Sequence, residues 1–383
     1  MAAPSSGAAG LPRATPFAGV RADVGIALPF AVLALLWTLA GDLPGGRWAA
    51  VHLFTLGVLA PLIVGFSQHQ ATTLLRARPR SRRAVRVLLA AGAALVAGGM
   101  IATTAPGATT AIAVGGTLSA LGVAIAGWWL WQARRAAGAG ARFAWLITAY
   151  VQAHLAFVVG AVIGGLLGAR AIGGAAYLPW RHAHLHAMLV GFAALTLLAT
   201  AVLFGPMLLR AQFEPGAEVQ AARALRVAAA ATVVAVVGLL AGVSPAPWAV
   251  GARWLAGAAL LVVAGAGAAV TAPLVRTVVR KARRAPLAGV LLTCALAWLT
   301  LALAADGIVV ATGRWLRLDV IGAVALLGGF VQAIVATLLH VVTMWLPRPR
   351  RLRALQRVDA IPVGLAAVPQ LAVAGWALVL LAS

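Results

Sequence analysis

The sequence predicts an all-α fold: a polytopic transmembrane helical bundle of about 11 spans, with the N-terminus inside and the C-terminus outside. Three observations carry this. Hydrophobic residues make up 63% of the 383-residue chain and charged residues 10%, against roughly 45–50% and about 25% in globular proteins. So apolar a chain cannot cover a soluble surface. The apolar residues gather into stretches of about 20, the length that crosses the hydrocarbon core of a bilayer. The net charge of +23 then falls between alternate stretches rather than along the whole chain.

In chain order the predicted spans are Val24–Asp42, Trp48–Gln68, Ala84–Thr104, Thr109–Trp131, Phe143–Gly168, Ala183–Leu209, Ala224–Val243, Trp248–Pro273, Pro286–Ala305, Leu318–Leu346 and Ile361–Leu381. Residues 1–22 hold Pro, Ser and Gly without a short apolar core, so they read as a cytoplasmic tail and not as a signal peptide. The loops are short, which makes residues 23–383 a single transmembrane domain. Arg13 and Arg21 precede the first span. Arg76, Arg78, Arg80, Arg82, Arg83 and Arg86 lie at the second-to-third connection, and Arg134, Arg135 and Arg142 at the fourth-to-fifth. Arg210, Arg223 and Arg226 follow the sixth span. Arg276, Arg280, Lys281, Arg283 and Arg284 follow the eighth, and Arg348, Arg350, Arg351, Arg353 and Arg357 the tenth. Only Arg47, Arg170, Arg181, Arg253, Arg314 and Arg317 fall on the other side. This alternation is the positive-inside pattern and sets the orientation. Trp48, Trp128, Trp129, Trp180, Trp248 and Trp345 sit near span ends, as an aromatic belt requires. The charge is thereby explained by a lipid bilayer, and no nucleic acid is needed.

Composition excludes several chemistries. A single cysteine, Cys294, rules out an intrachain disulfide, cysteine-ligated zinc and a four-cysteine iron–sulfur cluster. There is no P-loop and no H-E-x-x-H. The seven acids, Asp23, Asp42, Glu214, Glu218, Asp306, Asp319 and Asp359, are all expected in loops or at span ends. That weakens a transporter driven by protons or sodium.

The histidines are distributed differently. His52 opens the second span near the outside, and His182, His184 and His186 lead into the sixth from the same side. His154 falls near the middle of the fifth span, while His69 and His340 lie near the inside. A buried neutral imidazole can ligate heme iron or copper, its second nitrogen taking a hydrogen-bond partner. Four histidines at one depth therefore point to a cofactor or metal site. His52 and His69 lie about 25 Å apart along a helix, too far to share one metal, so a site at His52 must recruit from residues 182–186. If that run is helical, His182 and His186 share a face and His184 points the other way; one helix then serves two sites. If it is extended, all three point to one side as a compact copper-like site. Gly160, Gly164, Gly165 and Gly168 stripe the fifth span and read as packing glycines. Tyr150 and His154 are one turn apart and read as a core pair; His340 and Met344 share a face.

Two motifs carry a family resemblance. The second span reads His52-Leu53-Phe54-Thr55-Leu56-Gly57 and ends in Gln68-His69; the sixth reads Ala183-His184-Leu185-His186, then Val190-Gly191-Phe192 and Phe204-Gly205-Pro206. The second motif resembles the H-x-H heme-ligand span of heme–copper oxidase subunit I. The closer similarity is to the membrane domain of actinobacterial copper oxidases of nitrite-reductase type, and a more distant one is to NnrS-like membrane proteins. The resemblance implies heme and/or copper held between spans on the outer side. His184 and His186 match the H-x-H ligands and His52 the histidine of the second span. From their positions alone, His69 and His340 are further cofactor-binding candidates, whether or not they share a site, and His182 and His154 are candidate metal ligands. The resemblance also implies a redox partner protein and a prokaryotic plasma membrane. No second adjacent His-His pair and no cupredoxin domain accompany these motifs, which favours electron transfer over oxygen reduction. Two other functions compete: a small-solute transporter or channel with a midplane cavity at His154, Gln152 and Gln332, and a non-catalytic assembly subunit.

Overall fold

The computed structural model describes residues 18–41, 43–138, 140–212, 214–242, 248–281, 284–314, 318–344, 346, 350 and 363–382. Most of the expected N-terminal tail, the basic segment 351–362, Asp42, Asp359 and Trp345 lie outside them, as does the Met344 side chain. Ten helices among the described residues are long and apolar enough to cross a membrane. They are α1 (Gly19–Ala40), α2 (Gly46–Leu74), α3 (Arg83–Ile101), α4 (Ala108–Ala136), α5 (Ala144–Gly168), α6 (Gly174–Leu208), α7 (Ala217–Ala241), α8 (Trp248–Lys281), α9 (Leu287–Thr312) and α10 (Val320–Val342). A shorter apolar helix, α11 (Ala367–Ala382), follows. No strand occurs among the described residues, and the architecture is an all-α polytopic bundle.

Helix ends follow local chemistry. Gly313 closes α9 at φ 69°, its N–H donating to the Val310 carbonyl, the left-handed stop that glycine adopts without strain. Arg76, Arg170 and Arg210 take the same conformation after α2, α5 and α6, where an L side chain costs about 1–2 kcal/mol. Arg134 and Arg135 end α4, and Arg280 and Lys281 end α8, each placing cations on the negative pole of a helix.

Small residues set the packing. The α3–α4 contact runs through Gly92, where a Cβ would fall 2.7 Å from the Gly115 carbonyl oxygen, and the α8–α9 contact through Gly257, where it would fall 2.5 Å from that of Gly307. Such approaches stand in for the hydrophobic effect, which lipid does not supply between helices. The outward faces carry exposed Leu35, Val233 and Leu301, as a lipid-facing surface should.

At the arginine-rich end, Arg142 pairs with Glu218, and Arg276 and Arg280 with Glu214. Asp23 lies in the second turn of α1, at the span end expected, but buried: it is 3% exposed and held by Arg86 Nε at 2.6 Å and Arg82 Nη1 at 2.9 Å.

Among the described residues three helices contain π segments: Thr55–Leu59 in α2, His186–Ala194 in α6 and Ala325–Val331 in α10. Such segments re-aim side chains and recur at functional sites. The first begins just after His52 and the second begins at His186, so both flank the histidine-bearing turns.

Candidate functional site

The histidine run is helical. Residues Tyr177–Leu185 form regular α-helix before the π segment starts, so the alternative with two faces is the one the chain adopts. His184 and His186 accordingly serve different neighbours.

On one face, His184 of α6 meets His52 of α2. Their ring centroids are 6.4 Å apart and their planes differ by 11°. Each ring is anchored by its Nδ1: His52 donates to the Trp48 carbonyl at 2.8 Å, and His184 to the Gly160 carbonyl of α5 at 2.7 Å. A carbonyl only accepts, so the proton of each neutral imidazole sits on Nδ1 and the Nε2 lone pair stays available to a metal. Gly164 completes the cradle; a Cβ there would fall 2.5 Å from His184 Cε1. The glycine stripe packs as expected, since a Cβ at Gly160 would meet Met188 and Ala187 and one at Gly168 would meet Ile112. Two of its members also hold the His184 ring, Gly160 through its carbonyl and Gly164 through its missing side chain.

On the other face, His186 donates from Nδ1 to the His182 carbonyl at 2.6 Å, and its Nε2 lies 2.6 Å from Asp306 Oδ2 on α9. Both residues are buried, Asp306 at 7% exposure. The expected place of Asp306 at a span end is corrected here. The apolar run stops at Ala305 but the helix continues to Thr312, carrying the carboxylate into the bundle. One proton is shared between Nε2 and the carboxylate, so the pair is neutral as a whole, which lowers the cost of burying it. With both ring nitrogens engaged, His186 acts through Asp306.

The pair lines a cavity of about 340 Å³ at the end of the bundle opposite the arginine-rich one, with Arg47 also in its lining. Its wall is mainly apolar and includes Trp48, Val51, His182 and Ile321. The Arg181 guanidinium stacks over the Trp48 ring at 5.0 Å.

The other candidates lie apart. His154 is fully buried. It donates from Nδ1 to the Tyr150 carbonyl at 2.7 Å and packs edge-on against Phe192 at 5.7 Å. It does not pair with the Tyr150 side chain, whose hydroxyl binds Thr200 Oγ1 at 2.9 Å. The backbone of α4 closes on it at Gly127. His154, Gln152 and Gln332 line none of the three cavities described among these residues. His69 lines a second large cavity at the arginine-rich end, and His340 lies half-buried on α10.

Among the described residues no group of three or more His, Cys, Asp or Glu is placed to hold one metal ion. What the described residues do bring together is one pair of imidazoles, His52 and His184. The two rings are stacked, which brings imidazoles from different helices to one place. Two imidazoles suffice for heme iron, whose remaining ligands are porphyrin nitrogens, and for two-coordinate cuprous copper. No protein-family model, curated protein or solved structure matches this chain.

Proposed function

We propose that this membrane protein is an electron-transfer protein whose metal, a heme iron in the first instance, is held between α2 and α6 by His52 and His184. The observation that carries the proposal is the near-parallel pair of rings at 6.4 Å, each fixed through Nδ1. The bound group would supply one-electron chemistry. The chain's own residues orient the two imidazoles, exclude water with apolar helices, and keep a shared proton at His186–Asp306 beside a cavity. In this reading the protein sits in a prokaryotic plasma membrane with its arginine-rich end in the cytoplasm, and the histidine pair lies near the outer surface, within reach of a redox partner protein.

The test is purification from cells supplied with heme and copper, followed by an optical spectrum and metal analysis. A heme spectrum lost in His52→Ala and in His184→Ala, but kept in His69→Ala, supports the proposal. Stoichiometric copper without heme moves the same site to cuprous ion. A colourless, metal-free preparation overturns it.

A second reading is favoured by one observation. The buried Asp306–His186 pair on a cavity wall is the intramembrane carboxylate that proton-coupled transport requires. Proteoliposomes separate the two. Proton-driven solute uptake abolished by Asp306→Asn, with no bound cofactor, would establish transport instead.

A further inference from the structure

The arginine-rich end holds a cavity of about 970 Å³ between α2, α3 and α4. Arg76, Arg78, Arg80, Arg82, Arg83 and Arg86 all line it. Orientation rules explain why basic residues lie at this end of the bundle. They do not explain why six arginines line one hollow.

The cluster has internal order. Asp23 bridges Arg82 and Arg86. Arg82 Nη1 also donates to the Gly65 carbonyl, and Arg86 Nη2 to the Gly19 carbonyl. These two forks are thereby fixed in place, and their single carboxylate leaves them with a net positive charge. Arg80 donates to the Gln132 side chain at 3.2 Å, a neutral partner. Arg76, Arg78 and Arg83 line the cavity, are exposed, and have no carboxylate partner among the described residues. So many like charges on a low-dielectric wall call for an anion with several acceptor oxygens. Trp129 and Ala133 of α4 add apolar surface to the same lining.

We propose that this cavity binds a phosphate-bearing ligand, with the phosphate on the exposed Arg76, Arg78 and Arg83 and an apolar portion against α4. Planar guanidinium groups match phosphate oxygens two at a time. A lining that joins arginines to apolar surface, at the end of a membrane bundle, fits an anionic phospholipid whose headgroup enters while its chains stay in the bilayer. A soluble phosphate compound presents the same headgroup chemistry.

The full chain in detergent is mixed with phosphatidylglycerol or phosphatidylcholine, and retained lipid is counted by native mass spectrometry. A parallel arm follows thermal protection by inorganic phosphate and pyrophosphate. The test variant is Arg78→Ala with Arg83→Ala. The control is Arg223→Ala with Arg226→Ala, which removes the same charge from exposed positions at the same end. Phosphatidylglycerol retention about fivefold lower in the test variant, and within about twofold of wild type in the control, establishes the lipid site. Protection by pyrophosphate that only the test variant loses, without lipid retention, establishes the site with a soluble occupant. Equal losses in both variants mean diffuse charge attraction and overturn the proposal, as does the absence of both lipid retention and phosphate protection in wild type. None of these readouts depends on the histidine pair, so this inference stands or falls apart from the redox reading.

Discussion

His186 Nε2 and Asp306 Oδ2 lie 2.6 Å apart and join α6 to α9 through one shared proton inside the bundle. Removing one member of a buried pair costs about 3–5 kcal/mol. Asp306→Ala is therefore expected to lower the melting temperature in detergent sharply. Asp306→Asn is expected to cost much less, because its amide N–H can donate to a neutral His186 Nε2. Equal destabilisation by the two variants would contradict a role for the hydrogen bond.

The glycine cradle makes a sharp comparison within one helix. A methyl group at Gly164 would meet the His184 ring, whereas one at Gly165 would meet nothing within 4 Å. Gly164→Ala is expected to displace the ring and cut bound cofactor about tenfold or more, and Gly165→Ala to leave it within about twofold of wild type. Absorbance per protein checks this. Similar spectra from the two variants would mean that His184 is not a ligand.

His154 provides the opposite case, a histidine whose surroundings are packing. Its ring is buried beside Phe192 and Gly127. His154→Ala is expected to cost about 2–4 kcal/mol through the cavity it leaves, while the spectrum of the folded variant stays unchanged. Loss of colour below its melting temperature would place His154 at the cofactor.

Glu214 sets a pH dependence at the arginine-rich end. The Arg276 side chain, then Arg280, hold its carboxyl below the ordinary value of 4.5. A depressed folded value means that the stabilisation is present above pH 4.5 and fades as pH falls through the folded value. The difference in melting temperature between wild type and Glu214→Gln should therefore be present at neutral pH and vanish in acid. A difference that persists unchanged below the folded value would rule out the ion pairs as its source.

Most of the bundle is readable from apolar length, because a segment that must bury every backbone polar group in lipid has little choice but to be a long helix. The site is readable only in part. His52 and the run 182–186 stand out as costly residues at one depth, yet periodicity alone cannot choose between a helical and an extended lead-in, and that choice decides which histidine meets His52. Asp306 escapes for a simple reason. A charged residue after an apolar run looks like the end of a span, and only its partner on another helix makes burial tolerable. Gly160 and Gly164 escape because a glycine that seats a ring and one that seats a helix have the same spacing.

The π segments have a consequence for how such chains diverge. A π turn is what one residue inserted into an α-helix produces, and each residue of an α-helix advances the face by about 100°. The halves of α2 before and after Thr55–Leu59 are thus phased independently, and so are those of α6 around His186–Ala194. A single-residue deletion in either segment would swing the histidine-bearing turn around the helix axis while the remainder of the span kept its seat against its neighbours. In an alignment, one gap at these positions would separate chains that keep the histidine pair from chains that have lost it, even where every histidine is still present.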